Sequence, residues 1–303
     1  MEQHIQNKIS ITNTHKLGVL FLITSALLTG ANQVYYAKKV QQVEPLHFTF
    51  FSFFLCMITF QAINLRSKKR VSLLHKDLVY LNLSTALAFM SFYTALKYIE
   101  PAIVSALEMG LGPLFTLIFS IWLYPSKRSS IQEYILSTVT LIGSLFLYWT
   151  TISGHSGLGH LPFEDITKGI AAAVCCGAGA VLAAIYSKRL SNSGWNATKI
   201  MAHRFYAIVV LSGIWGITTL PTSILNNFQW MLLVSIAGVI IPLYLLQLGI
   251  QYCEPLVVIM SICFVPVFTF FFQLFDVRLE LSLSTLLGIL VLTSTAGFSM
   301  VKK

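Results

Sequence analysis

The chain has 303 residues, of which 56% are hydrophobic and only 10% charged, and it carries a formal net charge of +9. That is less than half the ~25% charge of an average soluble domain, so a soluble globule is excluded for want of polar surface and lipid is the expected solvent. The excess of lysine and arginine does not argue for nucleic acid, because these residues punctuate apolar runs as topology signals do.

Taken in order, uncharged runs extend over Leu17–Ala37, Pro45–Leu65, Leu78–Leu96, Gly169–Ser187, Pro255–Phe275 and Leu281–Val301, each 19 to 21 residues long. A helix needs ~20 residues to cross a ~30 Å hydrocarbon core. The first run is too long for the apolar part of a signal peptide and lacks a small-residue cleavage site, so a retained helix is expected. Two further spans, Pro101–Tyr124 and Tyr134–Ile152, flank a short basic turn. After a Gly-rich connection from Ser153 to Lys168, the uncharged stretch Phe205–Cys253 is expected to hold two spans, split at Pro221 to Asn227 by turn-forming residues. The prediction is an all-α integral membrane protein of ten transmembrane helices.

With ten spans both termini share a side. That side then holds fourteen lysines and arginines, among them Lys68, Lys69, Arg70, Lys127 and Arg128. The other holds five (Lys38, Lys39, Lys97, Lys168 and Arg278), with Arg204 set aside inside a span. The bias puts both termini in the cytoplasm. The sequons at Asn82 and Asn196 fall in a span and on the cytoplasmic side, so they do not argue for a secretory route. Five cysteines (Cys56, Cys175, Cys176, Cys253, Cys263) lie at membrane depth without metal-ligand spacing and read as small apolar packing residues. His155 and His160, two loop histidines, fall short of a four-ligand structural metal site. No metal and no cofactor is expected.

The chain resembles itself. Lys97-Tyr98-Ile99-Glu100-Pro101 reads against Gln251-Tyr252-Cys253-Glu254-Pro255, and the stretch from Pro113 to Phe119 against that from Pro266 to Phe272. Gly143 matches Gly297, and Tyr36-Ala37-Lys38-Lys39-Val40 matches Tyr186-Ser187-Lys188-Arg189-Leu190. This divides the chain into a first repeat over 17–152 and a second over 168–301. Five spans per repeat is odd, so the second copy is expected to enter the membrane from the opposite side. Inverted repeats suit alternating access around a midplane site.

These motifs resemble the drug/metabolite transporter superfamily in its EamA-type family: the Glu-Pro turn opening spans four and nine, the mid-helix prolines Pro113 and Pro266, and the basic tail of spans one and six. Ala106-Leu107-Glu108 with Gly112-Pro113-Leu114, Gly177-Ala178-Gly179-Ala180 and Ile241-Pro242-Leu243-Tyr244 are similar to the threonine and homoserine exporters of that branch. The chain departs from that pattern in the longer spacing from Glu108 to Pro113, in Val265 where a second glutamate is expected, and in Ser52 where a basic residue is often found. The resemblance implies ten helices in two EamA repeats, cytoplasmic termini, a place in the cytoplasmic, or inner, membrane and export of an amino acid or related metabolite.

Glu108 is the leading candidate for substrate binding. It lies seven residues into a span, ~10 Å deep at 1.5 Å per residue, where a carboxyl costs about 2.5–3.5 kcal/mol unless paired or facing a cavity. Gly110, Gly112 and Pro113 follow it, a break expected to bend the helix and free a carbonyl, with Pro266 the counterpart in span nine. The expected role is to hold a substrate ammonium group, with a proton as candidate coupling ion; a neutral acid buried in helix packing is the competing role. Gln33, Gln247, Asn32 and Tyr93 are further candidates to line the pathway, followed by Gln61 and Asn82, although interhelical hydrogen bonds of such residues are ordinary packing. Arg204, ~8 Å from the cytoplasmic face, is assigned to the cytoplasmic mouth as an anchor or an anion-attracting group. Its level lies ~12 Å from that of Glu108 in a ~30 Å core, too far for one small amino acid to bridge.

No ATPase module or phosphate loop is present, so transport would run on a gradient. The partners expected are a small-molecule substrate and lipid, with no nucleic acid. Another cargo (a drug, nucleobase, metallophore or nucleotide-linked solute) and a non-transporting receptor or scaffold are the alternatives. An enzyme would need clustered nucleophiles, acids or metal ligands, which the sequence lacks.

Overall fold

The computed structural model describes residues 2–65, 75–123, 130–215, 217, 219–253 and 255–301. The basic residues from Arg66 to Arg70, Tyr124, Lys127, Arg128, Glu254, Lys302 and Lys303 lie outside them. Among the described residues the chain is helical without strands. The α-helices are α1 (Glu2–Lys39), α2 (Pro45–Leu65), α3 (Lys76–Tyr98), α4 (Pro101–Gly110), α5 (Gly112–Leu123), α6 (Ile131–Ile152) and α7 (Phe163–Asn192). They continue with α8 (Ala197–His203), α9 (Tyr206–Trp215), α10 (Leu220–Val234), α11 (Ile241–Tyr252), α12 (Pro255–Ile262), α13 (Val265–Gln273) and α14 (Leu283–Val301). A π-helical segment, Ser235–Ile240, joins α10 to α11.

Among the described residues, seven helical stretches are long and apolar enough to cross a membrane: Lys16–Lys39, Pro45–Leu65, Lys76–Tyr98, Pro101–Leu123, Ile131–Ile152, Phe163–Asn192 and Leu220–Gly249. Large apolar side chains cover the outside, among them Leu65, Trp122, Ile131, Leu225 and Val277, which is the surface a bilayer solvates and water does not.

Most of the interruptions have a covalent cause. Proline has no amide hydrogen to give the carbonyl four residues back. Pro113 therefore strips an α-helical donor from Met109 at the α4–α5 turn, Pro266 from Ile262 at the α12–α13 turn, and Pro242 from Gly238 inside the π segment. Pro221 does the opposite of the sequence expectation. It sits in the first turn of α10, where no amide is needed, so it starts a helix that runs unbroken past Asn227. The α8–α9 break at Arg204 and Phe205 contains neither glycine nor proline. Asn82 of α3 holds it open: its Oδ1 accepts from the amides of Tyr206 at 2.8 Å and Ala207 at 3.2 Å, and its Nδ2 donates to the His203 carbonyl at 2.8 Å. Asn82, expected as a pathway candidate, is thus a splint that satisfies the backbone on both sides of a break.

Small residues set the packing. A Cβ on Gly179 of α7 would lie 2.6 Å from the Ala88 amide nitrogen of α3, so these two backbones cross nearly in contact. The α3–α7 and α1–α11 pairs make the most extensive interfaces, followed by α1–α13 and α6–α14, with α4–α7, α4–α14 and α2 against α8 and α9 also closely packed. Leu292 of α14 plugs the space left by Gly110 of α4 and Gly143 of α6, each of whose added Cβ would meet it at 2.8 Å. Gly110, expected to permit bending, is therefore fixed by close packing, while Gly112 faces open space.

Replacing Asn82 with alanine removes both the acceptor and the donor from buried backbone groups. Each orphaned group costs about 1–3 kcal/mol. Thr59→Ala is the control, because among the described residues the Thr59 hydroxyl bonds only to the Leu55 carbonyl of its own helix. Asn82→Ala is expected to lower the thermal unfolding midpoint in detergent well below that of Thr59→Ala. An unchanged midpoint would remove the splint role.

Candidate functional site

One cavity of about 160 Å³ lies inside the bundle. Helix α1 supplies Ser25, Asn32 and Gln33 to its wall, α3 supplies Phe89 and Tyr93, and α4 supplies Glu108 and Met109. The π segment and α11 close another side with Gly238 and Pro242, and Ile262 and Val265 bracket the α12–α13 turn. Glu108, Gln33, Asn32 and Tyr93, scattered over the sequence, therefore meet at one place. Gln247 does not join them. Its neighbour Leu246 lines the cavity, and the ~100° turn per residue of a helix points Gln247 elsewhere.

Among the described residues that line the cavity, Glu108 is the one with a carboxyl group, and most of the wall is apolar. Its carboxyl is within hydrogen-bond reach of the Cys176 thiol of α7. Composition and spacing mark Cys176 as packing alone, so this partner is a finding of the fold. Gly177 follows it beside the same turn of α4, where an added Cβ would sit in ordinary contact with the Glu108 carbonyl oxygen at 3.4 Å.

The polar side chains beside Glu108 mostly tie helices together. Gln33 Oε1 accepts from the hydroxyls of Ser105 and Thr269, the latter at 3.0 Å, so α1, α4 and α13 join at one buried point. Asn32 Nδ2 donates to the Ala237 carbonyl of the π segment at 3.2 Å and to the Leu28 carbonyl at 2.8 Å. Ser25 Oγ donates to the Pro242 carbonyl at 2.8 Å. Helix α1 thus stitches all three broken helices that flank the cavity. Tyr36 donates its hydroxyl to the Tyr93 carbonyl at 3.2 Å, and the rings of Tyr36, Phe48, Tyr93 and Trp230 pack into one aromatic cluster.

All three carbonyls deprived of an α-helical donor by these prolines belong to residues of this wall: Met109, Gly238 and Ile262. Neither Pro113 nor Pro266 lines the cavity itself; each acts through the residue four positions back. The sequence points to the two turns but not to Gly238, whose partner Pro242 lies in a helix that hydropathy reads as continuous.

Arg204 is not among the lining residues. Its Nη2 donates to Thr85 Oγ1 at 3.3 Å, its guanidinium lies 5.6 Å from the Phe205 ring centroid, and its buried Nε has no partner among the described residues. Phe53 stands between this group and the cavity, packed on Phe89 at 4.7 Å and on Phe205 at 5.4 Å. The two charges are separated by aromatic rings.

The end of the bundle where α1 stops and α4, α7 and α14 begin, here termed distal, is closed by polar contacts. The Glu100 carboxylate, fully buried, accepts from Gln273 Nε2 at 2.5 Å, the Gly157 amide at 2.7 Å and Thr285 Oγ1 at 2.9 Å. Arg278 pairs with Asp276 at 2.5 Å and donates to the Ala37 carbonyl of α1 at 3.0 Å. Burial alone would raise the Asp276 carboxyl, but the hydrogen bonds and charge of Arg278 hold it below the usual carboxylate range.

Residues 16–149 match the EamA-like transporter family. That stretch contains Asn32, Gln33, Tyr93 and Glu108. No curated protein matches the chain. A solved crystal structure shares the fold with a TM-score of 0.61 at 19% sequence identity, covering 94% of this chain and 96% of that one. The matched family and the seven apolar helices make this a multi-pass membrane protein.

Gln33→Leu keeps the approximate volume of the side chain and removes the acceptor shared by Ser105 and Thr269. Interhelical bonds in membranes average about 0.6 kcal/mol, and Ser105 would be left buried without it. The expected result is a lower unfolding midpoint that Ser105→Ala in the same chain largely restores. No restoration would mean the three residues do not act as a unit.

Proposed function

We propose that the protein is a secondary transporter of the drug/metabolite superfamily, EamA type, that exports an amino acid or related small metabolite by alternating access. The observation that carries this reading is the composition of the central cavity: a single carboxylate, Glu108, beside three residues whose carbonyls have lost their α-helical donors to proline. Freed carbonyls at membrane depth are tolerated where they face a cavity, and in broken-helix transporters they receive cations. A substrate ammonium group fits that environment. The α13 N-terminus at Val265 offers the partial positive charge of a half-helix to the substrate's carboxylate.

The packing supports two inverted five-helix repeats, 17–152 and 168–301. Exchanging the first five passages for the last five maps α1–α11 onto α7–α3 and α1–α13 onto α7–α4, while α6–α14 and α2–α9 map onto themselves. The α4–α5 and α12–α13 turns also fall at equivalent places, since Pro113 and Pro266 share the alignment that relates the repeats. With both termini cytoplasmic, the distal end faces outwards, and its closed contacts describe a state sealed on that side. In this reading Glu108 alternates between substrate and proton, Gln33 and Asn32 hold the cavity's shape, and Arg204 lies towards the cytoplasmic mouth.

The test is a panel of radiolabelled amino acids, amines and other metabolites in everted membrane vesicles, for the parent and Glu108→Gln. Glutamine is neutral at every pH. The expected outcome is at least a tenfold loss of transport of the solute the parent moves, or transport whose acid-range pH dependence has vanished, with normal membrane insertion. A variant that transports like the parent at every pH would end the role given to Glu108, and a parent that moves no solute would favour a receptor or scaffold.

A further inference from the structure

A second cavity, of about 340 Å³, lies at the distal end between the ends of α1, α3 and α7 and the α13–α14 connection. It is about twice the size of the central one and falls within the ~300–1,000 Å³ typical of small-molecule sites. Three charged side chains line it: Lys97, Asp165 and Arg278. They are not equivalent. Arg278 is committed to Asp276 and to the Ala37 carbonyl. Lys97 Nζ spends one of its three donors on the Val43 carbonyl at 3.3 Å. Asp165 makes no ion pair among the described residues; Lys168, one turn along its own helix, is bonded to Glu164 at 2.6 Å and lies within electrostatic range of Asp165.

Lys97 and Asp165 therefore present opposite charges to one cavity without touching each other. A pair of that kind, lining one cavity without forming an ion pair, leaves room for a ligand that carries both complements. Leu158, Leu161 and Leu279 add apolar wall between them. We propose that this distal cavity binds a zwitterionic solute, its carboxylate on Lys97 and its ammonium group on Asp165. The site is distinct from the central cavity, with which it shares no lining residue. Its role as the station from which an exported amino acid leaves rests on the transport reading above; the binding itself does not. Asp165 also lies in the first turn of α7, where an acidic residue stabilises a helix by interaction with its dipole. That contribution affects stability and has no bearing on which end of a ligand is preferred.

The experiment uses full-length protein in lipid nanodiscs on a Glu108→Gln background, which removes the central carboxylate. Titration calorimetry compares L-leucine with its methyl ester, which lacks the negative charge, and with N-acetyl-L-leucine, which lacks the positive one. The zwitterion is expected to bind about two- to fivefold more tightly than either capped form, the ratio that a partly exposed ion pair supplies. Lys97→Gln should abolish the preference over the methyl ester alone, and Asp165→Asn the preference over the acetyl form alone. Absence of leucine binding on this background, or the same order of preference in both variants, would overturn the proposal. Either result would leave the Glu108 transport test untouched, and a failed transport test would leave this binding test standing.

Discussion

A backbone carbonyl inside a bilayer must find a donor or a cavity, because no water is there to take it. Three prolines in this chain create that problem, at Pro113, Pro242 and Pro266, and all three deprived residues converge on one space. The rest of the architecture follows from keeping that space open and organised. Interrupted helices lose the ladder that makes them rigid, so a continuous helix has to brace them. Helix α1 does so through Ser25, Asn32 and Gln33, three polar side chains that between them touch all three broken passages. The same three residues line the cavity, so its shape and its stability are set by one set of bonds.

Glu108 is compatible with this frame and hard to place anywhere else. Near a lipid-facing surface its carboxyl would be costly; beside the cavity it meets Cys176 and open space. Arg204, by contrast, is kept apart by aromatic rings and bonded to Thr85. Glu108 lines the cavity and Arg204 does not, and the two form no ion pair with each other.

Much of the architecture is legible in the sequence because it rests on local rules. Uncharged runs of the right length locate the helices, a deep acid next to a Gly-Pro pair locates the cavity, and the repeat points to Pro266 as the counterpart of Pro113. What escapes is tertiary. The α8–α9 break has no proline or glycine to announce it and exists because Asn82, more than a hundred residues away, satisfies both its ends. The π segment depends on Asn32 and Ser25 in the same way. Pro221 reads as a breaker because its surroundings have the composition of a turn, whereas its position in a first turn makes it an initiator. Gln247 has the right chemistry and the wrong helical phase.

Alternating access to the Glu108 cavity requires the distal end to open. Spin labels at Gln41 and Leu161, which line the same distal cavity, report that opening directly by pulsed electron resonance in nanodiscs. Two distance populations are predicted, the shorter matching the sealed state, with Glu108→Gln changing their ratio. One fixed distance, the same in the parent and in Glu108→Gln across acid and neutral pH, would contradict alternating access.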